Sequence, residues 1–175
     1  GYLRVPLSLK NVDMYTLSGH KLHGPKGIGA LVVRKGVRLL PRQMGGGQER
    51  DLRSGTENTP GIAGLHAAIE AMRQADLSAL RKKKDALYEA ILAAVPEALR
   101  NGPALGAPHI LNMSFPGVRG EVLLHALEEK GVYVSTGSAC SSKKRKVSAV
   151  LTAMAMEPDR AESALRFSLS PYPTM

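Results

Sequence analysis

Ser18-Gly19-His20-Lys21-Leu22-His23-Gly24-Pro25-Lys26-Gly27-Ile28-Gly29 sets an amine nucleophile, two imidazoles and a glycine-rich turn between two short apolar runs. Val12 to Leu17 before it and Ala30 to Val33 after it both read as strands. A lysine at the end of a strand, beside groups able to hold an anion, suits imine chemistry with a carbonyl cofactor. A nucleotide phosphate loop would need Gly-Lys-Ser/Thr at a set distance from its first glycine and then a helix, and neither is present. Gly24, Gly27 and Gly29 lack the spacing of a dinucleotide fingerprint, and a strand follows them. A solvated turn whose lysines merely face water stays open as the alternative.

The bulk composition narrows the class. A chain of 175 residues with 43% hydrophobic side chains can bury a core as one domain or one and a half. No apolar run is long enough to span a bilayer, and the start lacks the charged-then-apolar pattern of a signal peptide, so a soluble cytoplasmic protein without membrane contact is expected. The single cysteine excludes an internal disulfide framework and suits a reducing compartment. The net charge of +9 comes partly from Arg81-Lys82-Lys83-Lys84 and Lys143-Lys144-Arg145-Lys146. The first cluster is read as a solvated helix face. With few aromatics and no tryptophan, a base-stacking platform for nucleic acid is not expected.

Outward from the lysine stretch, residues 34–58 are rich in glycine, arginine and polar side chains and read as a long loop of the kind that carries function. Thr59-Pro60 opens a helix as N-cap and first helical position, with Ile62, Leu65, Ile69 and Met72 as its apolar stripe. A second helix is expected from about Leu77 to Val95, with Leu80, Leu87, Tyr88, Ile91 and Leu92 inward and Pro96 as its limit. After a Gly/Pro-rich loop at 101–108, Ile110 to Phe115 read as a strand. Glu121 to Lys130 read as a helix with Val122, Leu123, Ala126 and Leu127 inward and Gly131 as its stop. Val132 to Ser135 are expected as a strand, Val147 to Met154 as a helix and Ala164 to Leu169 as a final strand, which together suggest a small α/β layer.

Two side chains carry distinctive chemistry. Lys21 can form a Schiff base if it reacts as the neutral amine, which partial burial and the nearby positive groups His20 and Lys26 would favour. Cys140 sits among small polar residues, Thr136-Gly137-Ser138-Ala139 before it and Ser141-Ser142 after it, with Lys143 to Lys146 at once downstream. Cations stabilise the reactive thiolate, whereas a lone cysteine is otherwise a small buried hydrophobe. His20-x-x-His23 has no Cys, Asp or Glu cluster to complete a metal ligand set, so no metal is expected.

Ser18-x-His20-Lys21-x-x-Gly24-Pro25-Lys26-Gly27-x-Gly29 resembles the signature around the cofactor lysine of the class V aminotransferase family, pyridoxal-phosphate enzymes of the aspartate-aminotransferase-like fold. Gly45-Gly46-Gly47-Gln48-Glu49-Arg50, Arg53-Ser54-Gly55-Thr56-Glu57-Asn58, Asn112-Met113-Ser114-Phe115, Ser138-Ala139-Cys140-Ser141 and Arg166-Phe167-Ser168 follow in the same order. That succession covers nearly the whole chain and is similar to cysteine desulfurases that serve iron–sulfur assembly or tRNA thiolation.

The resemblance implies an α/β fold: the C-terminal part of a fold-type I transferase. Residues 1–58 would end the large-domain sheet with its lysine loop, and residues 59–175 would form a small α/β domain carrying the cysteine loop. It implies pyridoxal 5'-phosphate bonded by Lys21, with Ser18 and His20 on its phosphate. Thr56 would reach the phosphate of the neighbouring subunit in a homodimer. Arg166 would hold the substrate carboxylate, and Cys140 would carry persulfide sulfur. L-cysteine would be the substrate and a sulfur-acceptor protein the partner. A selenocysteine lyase, an aminotransferase or a non-catalytic basic binding module are the alternatives. The upstream half of such an enzyme is not in this sequence, so the piece by itself is expected to be inactive. His23 and Asn112 have no assigned role.

Overall fold

The computed structural model describes residues 11–136 and 148–172. Packing divides the chain into two compact units, Gly1–Ala75 and Asp76–Met175.

In the first unit, β1 (Met14–Ser18) and β2 (Gly29–Val33) form an antiparallel pair in which Leu17 faces Ala30 and Ser18 faces Gly29. A single 3-10 turn, Gly19–Leu22, follows β1 directly. Glycine is required twice here. A Cβ on Gly29 would lie 2.4 Å from the Leu17 carbonyl oxygen, and one on Gly19 would lie 2.8 Å from the Ile28 side chain. The long loop brings Gln43 and Arg53 together in an isolated parallel bridge.

α1 (Thr59–Gln74) starts one residue earlier than expected, because the Asn58 carboxamide is the cap, accepting from the Gly61 N–H at 3.0 Å, and Thr59 becomes the first helical residue. Leu65 and Met72 of α1 pack on Leu22 of the 3-10 turn, with Leu17, Ile28 and Ile69 around them. This contact is why α1 belongs with the hairpin and the first compact unit ends after α1, where the sequence suggested a boundary between residues 58 and 59. Ile62 of the expected stripe faces solvent.

The second unit is built on a three-stranded antiparallel sheet, β3-β4-β5, of β3 (Leu99–Arg100), β4 (Ile110–Ser114) and β5 (Ala164–Ser168). Strand alternation gives it two different faces. Leu111, Met113 and Phe167 point to one face and pack with Ala98 and Phe115 against Leu87, Tyr88, Ile91 and Leu92 of α2 (Leu77–Ala94). Met113 and its register partner Leu165 are 0% exposed, so this is the densest point of the core. Asn112, Ser114, Ala164 and Arg166 alternate onto the other face. There Ala164 meets Leu151 of α4 (Ala149–Ala153) and Ala161 of α5 (Pro158–Glu162). Asp76 caps α2 by accepting from the Ser78 and Ala79 N–H groups at 2.9 Å.

Several details differ from expectation. α3 (Gly120–Glu128) turns Leu123, Leu124 and Leu127 partly inward, while Val122 and Ala126 face outward. Residues 132–135 do not form a strand; only Ser135 is bridged, to Arg166. In α4 only Leu151 is buried, and Val150 and Met154 are exposed. β3 and α5, too short for a periodic signal, went unread.

The basic cluster on α2 is not wholly solvated. Lys84 is 3% exposed and its Nζ donates to the Ala107 carbonyl at 3.3 Å, while Arg81 donates to Gly106. Burial, assisted by Arg81 and Arg100 against the opposing pull of Asp85, pushes the Lys84 amine below its ordinary range. Burial and then Lys84 do the same to His109.

Candidate active site

The Lys21 turn is assembled by backbone bonds. The Gly19 N–H donates to the Ile28 carbonyl at 2.8 Å, and the Gly24 N–H donates to the Gly19 carbonyl at 2.9 Å. His23 closes the 3-10 turn in the left-handed region, with φ 62, and its N–H also reaches the Gly19 carbonyl. This gives His23 a backbone role that its side-chain chemistry did not suggest.

Gly19 and Leu22 are thereby buried, and Ser18, His20 and Lys21 are displayed on the exposed side of one turn. The side chains of Ser18, His20 and Lys21 make no hydrogen bond or ion pair among the described residues. The expected partial burial of Lys21 is not seen, because the two-stranded hairpin leaves that side of the turn open within this unit. A hydroxyl, an imidazole and an amine displayed together match the phosphate and carbonyl ends of pyridoxal phosphate.

Thr56 lies in the same compact unit, at the exposed end of the long loop. The loop before it is bent by three successive left-handed residues, Glu49, Arg50 and Asp51, with φ 49, 58 and 64. Non-glycine residues adopt that conformation at a cost. It is offset by local bonds: the Gly55 N–H donates to Gln48 Oε1 at 3.1 Å and the Ser54 N–H to the Gln43 carbonyl. Gln48 is therefore a positioning residue for the segment that carries Thr56. Its signal in the sequence was only its place between Gly47 and Glu49 in the glycine-rich run.

Arg166 belongs to the second unit, at the centre of β5. Its N–H donates to the Ser135 carbonyl at 2.6 Å and its carbonyl accepts from the Ser135 N–H at 3.2 Å, while Asn112 of β4 is its register partner on the other side. Its side chain is half-buried, and its Nε is cut off from solvent with no hydrogen-bond partner. No carboxylate pairs with it among the described residues, so the structural ion pair that would explain it away is not found there. Such a guanidinium fits a carboxylate supplied by a ligand. Cys140 lies outside the described residues.

The same sheet face holds polar residues that sequence reasoning left unassigned. Asn101 donates to Asn112 Oδ1 and to Ser114 Oγ, both at 2.7 Å, and accepts from Arg160 Nε at 3.0 Å. Among the described residues no group of His, Cys, Asp and Glu could hold a metal, and no helix is long and apolar enough to cross a membrane.

Residues 3–175 match the family described as Aminotransferase class-V. A curated relative, "Cysteine desulfurase 2" of Trichormus variabilis, is 44% identical over 98% of this chain and 44% of its own length. "Cysteine desulfurase" of Sinorhizobium fredii is 42% identical over 97% of this chain and 45% of its own length. Among solved structures, a "NifS-like protein" superposes with a TM-score of 0.78 at 37% identity, over 96% of this chain and 44% of the other. "SspA in complex with cysteine" gives a TM-score of 0.71 at 35% identity, over 94% of this chain and 46% of the other. The chain thus spans less than half the length of the proteins it matches.

Proposed function

The chain belongs to the class-V aminotransferase family, and from that premise we propose that it is part of a pyridoxal-phosphate-dependent cysteine desulfurase, which takes sulfur from L-cysteine and leaves L-alanine. Its fold is a portion of the aspartate-aminotransferase-like, fold-type I architecture. The observation that carries the functional reading is Arg166: a half-buried guanidinium, with no carboxylate partner of its own, at the centre of a rigid sheet.

Pyridoxal phosphate, when bound, supplies the electron sink that makes the bonds around the substrate's α-carbon labile. Lys21 would hold its carbonyl carbon, and the same amine would move the proton at the substrate's α-carbon. Ser18 and His20 would donate to its phosphate, and Thr56 would donate to the phosphate bound by the neighbouring subunit of a homodimer.

Arg166 fixes the substrate carboxylate by two parallel hydrogen bonds. The Cys140 thiolate attacks the substrate sulfur: a sulfur–sulfur bond forms, the carbon–sulfur bond breaks, and its electron pair stays with the carbon, which is then protonated. The persulfide then passes to an acceptor protein of iron–sulfur assembly or tRNA thiolation in the cytoplasm.

The test uses the full-length protein with pyridoxal phosphate, L-cysteine and an excess thiol reductant, which frees the outer persulfide sulfur as sulfide and is itself oxidised to the disulfide. Equal yields of L-alanine and sulfide are expected. Cys140→Ser should keep the visible absorption of the bound cofactor and release no sulfide. A keto acid as the main product would move the assignment to a transaminase. Expressed alone, this piece should develop no such absorption, and should gain it with an upstream partner.

A further inference from the structure

The polar relay on the Arg166 face has a fixed direction. A guanidinium only donates, so Arg160 Nε can bond only the oxygen of the Asn101 carboxamide, at 3.0 Å. The Asn101 nitrogen must then face Asn112, and it donates to Asn112 Oδ1 at 2.7 Å. Arg160 is itself held, with Nη2 on the Arg100 carbonyl at 2.8 Å and its own carbonyl accepting from Ser114 Oγ at 2.6 Å and Ser163 Oγ at 3.0 Å. Asn101, Ser114 and Ser163 are buried, so the relay is shielded from competing water.

The orientation of Asn112 follows. Its oxygen accepts from Asn101, so its Nδ2 points away from Asn101, and that nitrogen bonds no acceptor among the described residues. Asn112 is the register partner of Arg166, and directly opposed residues of an antiparallel pair share a face. The sheet face thus holds, at opposed positions, an amide nitrogen with no acceptor among the described residues and a guanidinium whose Nε has no hydrogen-bond partner.

We propose that Asn112 is a second substrate-binding residue that donates Nδ2 to the carboxylate held by Arg166, and that Arg160, acting through Asn101, is the positioning residue that turns it there. This rests on the assignment of Arg166 above and extends it. The bland alternative is that Asn112 serves only as an acceptor for Asn101.

The experiment compares full-length, cofactor-loaded Asn112→Ala with the unsubstituted protein. The KM for L-cysteine should rise about tenfold with kcat within about twofold, the loss expected for one hydrogen bond to a charged group. By calorimetry, L-alanine binding should weaken by a similar factor. Ethylamine, which lacks the carboxylate, should bind as before. Asn112→Asp keeps an acceptor for Asn101 and so guards against misfolding of the alanine variant; it should raise KM further by repelling the carboxylate. Arg160→Ala should raise KM alone and add nothing in the Asn112→Ala background.

Unchanged L-alanine affinity in Asn112→Ala or Asn112→Asp overturns the proposal, as does an equal loss for ethylamine. If the unsubstituted protein makes no L-alanine from L-cysteine, the desulfurase assignment fails instead, and the two failures are distinct.

Discussion

The two compact units carry their chemistry on opposite kinds of support. In the first, Lys21 rides on a two-stranded hairpin with Met14, Tyr15, Leu31 and Val32 all exposed, and its core is little more than Leu22, Leu65 and Met72. In the second, Arg166 sits in a sheet with helices against both faces and a core that fully buries Leu80, Met113 and Leu165. A lone two-stranded ribbon is marginal in water, whereas three strands packed on helices are not. The lesson is a contrast of support: Arg166 stands on a sheet packed within its own unit, whereas Lys21 stands on a hairpin whose large apolar residues are exposed.

The broadest way to break this contrast is to separate the units. Residues 76–175 expressed alone should unfold cooperatively and protect the amides of β4 and β5 from hydrogen exchange. Residues 1–75 alone should exchange rapidly throughout. Equal protection in the two pieces would dissolve the distinction.

Matched truncations sharpen it. Leu165→Ala should cost about 3–5 kcal/mol in denaturant unfolding of the second unit. Leu65→Ala, in the thinner core, should cost about 2–3 kcal/mol.

A smaller effect should follow from Gly64→Ala, whose Cβ would lie 2.5 Å from Pro25 Cγ. Forcing α1 off the Lys21 turn should cost about 1–3 kcal/mol and weaken pyridoxal-phosphate binding in the full-length protein, read by titrating the cofactor absorption.

The smallest effect concerns pH. Burial and Lys84 hold His109 below its ordinary range, so the unfolded chain takes up a proton first as pH falls. Stability of the second unit should be full above about pH 6.5, the unfolded value, and decline as pH drops through the folded-state value. His109→Gln should flatten that slope.

What the sequence made legible follows from periodicity and motif length. β1, β2, α1, α2, β4 and β5 carry repeating apolar patterns and were readable within a few residues. β3 and α5 are too short to hold a period. Lys84 looked solvated because three neighbouring cations set the impression, and only the Ala107 carbonyl opposite it explains its burial. The motif around Lys21 was readable as local chemistry. The Arg160–Asn101–Asn112 relay was not, because it joins residues far apart in sequence that only the sheet brings together.

The central claim is that Lys21 and Cys140 act on one bound cysteine. The most direct measurement is peptide mapping by mass spectrometry after the full-length protein, loaded with pyridoxal phosphate, is mixed with L-cysteine and its thiols are alkylated. The account predicts one added sulfur on Cys140, and none there in Lys21→Ala. Added sulfur on Cys140 that persists without Lys21, or none on Cys140 while sulfide is being released, would contradict it.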